Sequence, residues 1–93
     1  KSSDAYQSSL DQVQQHPQVI EALGEPIEPG FFVTGQVNIQ GSSGFADISY
    51  SLAGSKAEGT VYVKADKDMG QWLFNRIIVE IEPDKRRIVL VGE

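Results

Sequence analysis

The stretch that decides the fold is "GFADISYSLAGSKAEGTVYVKAD", residues 44–66. Ala46, Ile48, Tyr50 and Leu52 alternate with Asp47, Ser49 and Ser51. After the connection Ala53–Gly59, rich in small and polar residues, Val61, Val63 and Ala65 alternate with Thr60, Tyr62, Lys64 and Asp66. A period of two puts one set on a buried face and the other on the opposite face of a strand. So short a connection joins antiparallel neighbours, because a parallel crossover needs a dozen or more residues.

Reading outward, "FFVTGQVNIQ" (residues 31–40) sets Val33, Gly35, Val37 and Ile39 against Thr34, Gln36, Asn38 and Gln40. Gln71–Glu82 is apolar on both faces over Trp72, Leu73 and Phe74 and again over Ile77, Ile78 and Val79. That pattern predicts a central strand, or one covered on both sides. "RRIVLVGE" at the end is nearly all apolar from Ile88 to Val91, which predicts an outer face that meets something. The turns Gly41–Gly44, Asp66–Gly70 and Glu82–Arg87 complete a meander.

Before this sheet the period is helical. Tyr6, Leu10 and Val13 fall on one stripe, and Asp4 with Gln7 has the spacing of a capping box. His16 before Pro17 breaks the pattern, since the proline ring disfavours helical dihedrals at the residue before it but suits a first helical position itself. Two helices are expected, one to about Gln15 and one from Pro17. Val19, Ile20 and Leu23 form the buried side of the second, and Gly24 closes it. "EPIEPG" then reads as a connector. The expected fold is α+β in a single domain, residues 1–93: an N-terminal helix pair (1–24) packed on one face of a four- to five-stranded antiparallel meander (31–93). The helices should cover Val33, Val37, Ile48, Val61 and Val63, which would otherwise form an aggregation-prone patch.

Ninety-three residues, 40% hydrophobic and 23% charged, suit one small folded unit. Eight Lys and Arg against thirteen Asp and Glu leave a net charge of −5, which argues against nucleic-acid binding. The acidity is concentrated in residues 1–30. With no cysteine, disulfides, thiolate metal sites and cysteine nucleophiles are excluded. His16 reads as a capping or solvent-exposed residue. Asp66 and Asp68 resemble the start of a calcium loop, but Gly70 stands where a ligand belongs and Ile77 where the closing glutamate belongs. "GSSG" is followed by a strand rather than by Lys-Ser/Thr and a helix, so it is no phosphate cradle. No catalytic, cofactor-binding or metal-ligating set is expected, and the chain does not read as an enzyme.

Two surfaces remain as candidates. Lys85, Arg86 and Arg87, with Ile88 and Leu90 on the last strand, combine adjacent cations with an edge free to pair. Tyr50, Tyr62 and Trp72 could line a pocket between helices and sheet, although Trp72, beside Leu73 and Phe74, reads mainly as core.

The order of motifs "HPQVIEALGEPIEPG", "FFVTGQVNIQGSSGFADISYSLAGSKAEGTVYVKAD" and "GQWLFNRIIVEI" resembles the cytochrome c oxidase complex assembly factor one family over roughly Leu10 to Ile81. The resemblance implies a fold similar to that of a presequence-translocase subunit that binds partners without catalysis. It also implies a transmembrane anchor upstream, with the polar start "KSSDAY" lying just after it. The domain would then be extracytoplasmic, periplasmic or in the mitochondrial intermembrane space. It would act as a non-catalytic accessory factor whose partner is a membrane protein complex, a respiratory oxidase or its assembly factors. The competing reading is a small-ligand or peptide-binding module. Oligomeric state is left open by the sequence.

Overall fold

In the computed structural model, residues 4–82 and 84–92 are described. The polar start at Lys1–Ser3 and the Asp4 side chain of the capping box lie outside the described residues. Two helices, α1 (Asp4–Gln15) and α2 (Pro17–Leu23), precede five long strands: β1 (Glu28–Gln40), β2 (Ser43–Ala53), β3 (Glu58–Asp68), β4 (Gln71–Ile81) and β5 (Arg86–Val91). Neighbours in sequence are neighbours in the sheet, all antiparallel, in the order β1-β2-β3-β4-β5.

The expected α+β fold with four to five strands needs correction. Glu28 and Pro29 pair with Ala53 and Leu52, and pairing then skips to Val33 opposite Tyr50, leaving residues 30–32 against Ser51. The break divides β1 into two pairing segments, so the sheet is made of six strand segments. More than half of the chain is strand, and the molecule is mainly antiparallel sheet with a short helix pair at its N-terminus. The expected connector also shrinks, because Glu28–Gly30 is strand. Pro29 is tolerated there because β1 is an edge, where a missing N–H costs no ladder bond on the outer side.

The helix break falls where the sequence places it. His16 is extended (φ −76°, ψ 123°) and Pro17 opens α2, yet the imidazole makes no capping hydrogen bond and its Nδ1 has no partner. The His16 carbonyl accepts the first intrahelical bond of α2, from Ile20 N–H at 3.0 Å. Gly24 takes a positive φ of 81° and its N–H donates to the Ile20 carbonyl.

The end of α2 is stitched to the β2–β3 turn. Lys56 and Ala57 N–H donate to the Leu23 carbonyl (2.7 and 3.2 Å), and Ser55 N–H donates to the Gly24 carbonyl (3.0 Å). These are carbonyls that a helix terminus leaves without internal partners. The approach is close enough that a methyl group on Gly54 would collide with the Leu23 and Gly24 carbonyls.

The helices bury Leu10, Val13, Val19 and Leu23 against one sheet face formed by Ile48, Tyr50, Leu52, Val61, Val63, Ile77, Val79, Ile81 and Ile88. One polar contact crosses this core. Ser9 Oγ lies 2.8 Å from Tyr50 Oη and 2.8 Å from the Tyr6 carbonyl. Since the carbonyl can only accept, Ser9 donates to it and Tyr50 is the donor to Ser9. The Tyr6 ring meets Tyr50 edge-on at 4.8 Å and 73°.

The helices do not reach the whole face. Twelve residues of α1 span about 18 Å, whereas an eleven-residue strand runs roughly 36 Å and the molecule's long axis is 41 Å. Val33 and Val37, expected under the helices, are therefore 42% and 43% exposed. Trp72, expected in the core, is half-buried beyond the end of the helical layer, with Lys67 Nζ 5.9 Å from its ring. β4 is buried mainly over Ile77–Val79 and at Ile81.

Two stability outcomes follow. Gly54→Ala should destabilise by about 2–4 kcal/mol, read by urea unfolding, because backbone on both sides must move. Ser9→Ala should cost roughly 1–3 kcal/mol by leaving the Tyr50 hydroxyl buried without an acceptor, and adding Tyr50→Phe should recover part of that loss.

Candidate functional site

The basic segment at residues 84–87 forms the end of the β4–β5 turn and the start of β5. Lys85 occupies the left-handed region (φ 63°). Its Nζ lies 3.3 Å from Glu82 Oε1, and hydrogen bonding to Glu82, followed by that carboxylate's charge, raises the ammonium above the usual lysine range. Lys85 is exposed and Glu82 half-buried at the surface, so this pair orients the turn more than it stabilises it.

From Arg86 onward the side chains alternate. Arg86 pairs with Ile81 and shares the helix-side face with it, whereas Arg87 pairs with Glu80 on the opposite face. Arg87 Nε is 3.8 Å from Glu80 Oε2, and Tyr62 Oη donates to Glu80 Oε1 at 3.3 Å. Ile88 turns back into the core at 8% exposure and ties β5 to the helical layer, and Leu90 packs against the same cluster. Val89 stays 44% exposed, so the outer face of β5, expected to meet something, is open on this chain.

Between α2 and β5 lies a groove of about 510 Å³. It is walled by Gln18, Glu21 and Ala22 of α2, by Lys56 of the β2–β3 turn, and by residues 86–89 of β5. The stitch that closes α2 also sets this groove, because it places Lys56 at the groove wall with Nζ donating to the Glu21 carbonyl at 2.9 Å. Two cations, Lys56 and Arg86, thus face a groove with one carboxylate, Glu21, on a chain of net charge −5, while Arg87 borders it from a strand position whose side chain turns to Glu80 on the opposite face. Among the described residues no further strand pairs with the outer edge of β5 beside it. An arrangement of this kind can pair backbone with an extended segment and attract carboxylates on it.

The structure brings Arg86, Arg87 and Ile88 of the sequence-derived surface to this groove. Lys85 stands in the turn before β5, and Leu90 packs against the core cluster rather than the groove wall. Lys56 was missed: a single lysine among small residues of a turn carries no signal until the α2 terminus is seen to dock there. The three aromatic residues are not brought together. Tyr50 is 3% exposed beneath α1. Tyr62, registered against Ser49, points from the other face. Trp72 lies toward the β3–β4 hairpin. Among the described residues no group of His, Asp and Glu is placed to hold a metal ion, and no helix is long and apolar enough to cross a membrane.

The fold and this groove define a sheet domain with an open, basic strand edge. The chain belongs to the family of cytochrome oxidase complex assembly protein 1, whose sequence profile matches residues 1–92, and membership implies a role in cytochrome oxidase assembly. Comparisons with curated proteins and with solved structures found no match.

Burial pushes the Tyr50 hydroxyl up to about 12, an effect that outweighs the opposing influence of its hydrogen bond with Ser9. The unfolded chain, with tyrosine near its ordinary value of 10, loses that proton first as pH rises. The contribution to stability is therefore intact below pH 10 and declines by roughly 2–3 kcal/mol between pH 10 and pH 12. Urea midpoints measured across this range should fall more steeply for the native chain than for Tyr50→Phe.

Proposed function

We propose that this chain is the non-catalytic domain of a membrane-tethered assembly factor that holds a segment of a cytochrome oxidase assembly intermediate by protein–protein contact. The observation that carries this reading is the groove between α2 and the open edge of β5, with Lys56 and Arg86 facing it, in a member of an oxidase assembly family. Charge complementarity makes the held segment acidic, and the free strand edge makes it extended. The domain sits outside the cytoplasm, in the periplasm or the mitochondrial intermembrane space, anchored by a helix that precedes this chain in the complete protein.

Full-length protein purified from membranes should carry oxidase subunits or their assembly factors with it. Lys56→Glu combined with Arg86→Glu should reduce that recovery at least about tenfold while the circular dichroism spectrum stays unchanged. Normal oxidase content in a strain lacking the gene would refute the assembly role. Proteolysis of intact and opened membrane vesicles tests the placement: the domain should be cleaved only from the non-cytoplasmic side.

The competing reading, a small-ligand or peptide-binding module, draws on the groove's size, which falls in the range of small-molecule sites. A thermal-shift screen of metabolites and peptides separates the two. Stabilisation by a small metabolite that survives Lys56→Glu/Arg86→Glu would favour the module.

A further inference from the structure

The sheet has two outer strands, and they differ in a way the oxidase role does not explain. β5 carries Arg86 and Arg87 within six residues. Charged side chains of this kind keep a strand edge from pairing with copies of itself. β1 carries its one charge, Glu28, at its first residue, and beyond the pairing break at residues 30–32 it has no such guard. From Pro29 to Ala46 the sequence contains no charged residue, in a chain of net charge −5. Its segment Val33–Gln40 pairs continuously with Tyr50–Ser43 and contains neither proline nor bulge. The other side of that segment, at the end of the strand order, presents its backbone N–H and C=O groups outward.

The side chains on this edge alternate as well. Val33, Val37 and Ile39 point to the helix side and are 42%, 43% and 49% exposed. Thr34, Gln36, Asn38 and Gln40 point to the other side, all neutral and able both to donate and to accept.

We infer that the edge Val33–Gln40 of β1 pairs antiparallel with the same strand of a second copy of this chain, forming a two-fold dimer whose sheet runs through both molecules. Three features select a second copy as the occupant. Acidic chains repel one another over most of their surfaces, and this neutral edge is where two of them can approach without opposed like charges. A two-fold axis perpendicular to the sheet keeps helix-side residues beside helix-side residues, so Val33, Val37 and Ile39 of each copy meet their counterparts while the amides of the other face hydrogen-bond across. A charged partner would find nothing on this edge to complement it.

The eight-residue edge is short for a specific interface, so half-association is expected on the order of 10 µM. Sedimentation velocity of the 93-residue chain over about 5–200 µM should show a monomer converting to a dimer. Val37→Lys, which places a charge at mid-strand on a side chain already open to solvent, should raise the dissociation constant at least about tenfold. The absence of native cysteine permits a second measurement that leaves the strand pattern nearly intact. Single cysteines at Thr34, Gln36 and Asn38 should form intermolecular disulfides quickly at whichever position lies at the two-fold axis, and a single cysteine at Val89 on β5 should not. A monomer throughout the concentration range would overturn the inference. So would a dimer unchanged by Val37→Lys, or one cross-linked through Val89 and through none of the β1 positions.

Discussion

The carbonyl groups at the end of α2 hold this molecule together as two layers. A seven-residue helix has too few internal hydrogen bonds to persist alone. It persists here because Lys56, Ala57 and Ser55 supply N–H groups to Leu23 and Gly24, and because Val19 and Leu23 are wholly buried on the sheet. The same contact fixes where α1 lies, since only His16 separates the two helices. It requires a β2–β3 turn whose backbone can touch another backbone, which is why Gly54 stands there. One junction thus closes the helix, positions the core and brings Lys56 to the groove beside β5.

Much of the fold was legible because it depends on parity and punctuation. The alternation through Ile48, Tyr50 and Leu52 and through Val61 and Val63 identifies the buried face, and all five side chains are buried. Pro17 after His16 marks the helix break. The errors have physical causes. Pattern shows which residues share a face but not how far a helix reaches, so Val33, Val37 and Trp72 were assigned to a cover too short for them. Pro29 read as part of a connector because proline is excluded from inner strands, and β1 is an outer one. The strand count missed the interruption opposite Ser51, since an irregularity of that kind leaves no mark in a run of alternating residues.

The candidate site divides in the same way. Arg86 and Arg87 beside an apolar strand were visible as a run of like charge next to a potential edge. Their assignment to opposite faces follows from parity as well, and parity already separated Tyr62 from Tyr50. What could not be read was the third wall. Lys56 and the outer side of α2 meet β5 only through the tertiary contact, about thirty residues apart in sequence, and no periodicity records an approach of that kind. The role in oxidase assembly came from the order of motifs and not from any single residue's chemistry, in keeping with a fold whose distinctive residues are turns and helix stops.

The mismatch between short helices and long strands makes the domain mechanically uneven. One half is a double layer with its backbone ladder shielded on the helix side. The other half, from the β1–β2 hairpin to the β3–β4 hairpin, is a single ply linked at its tips by Gly70 N–H donating to the Ser42 carbonyl at 2.9 Å. Local opening requires less buried contact to be broken there, so that ply yields at a lower free energy than the double layer. A load applied through the hairpins would bend the thin end first, leaving the groove between α2 and β5 undistorted at the thick end.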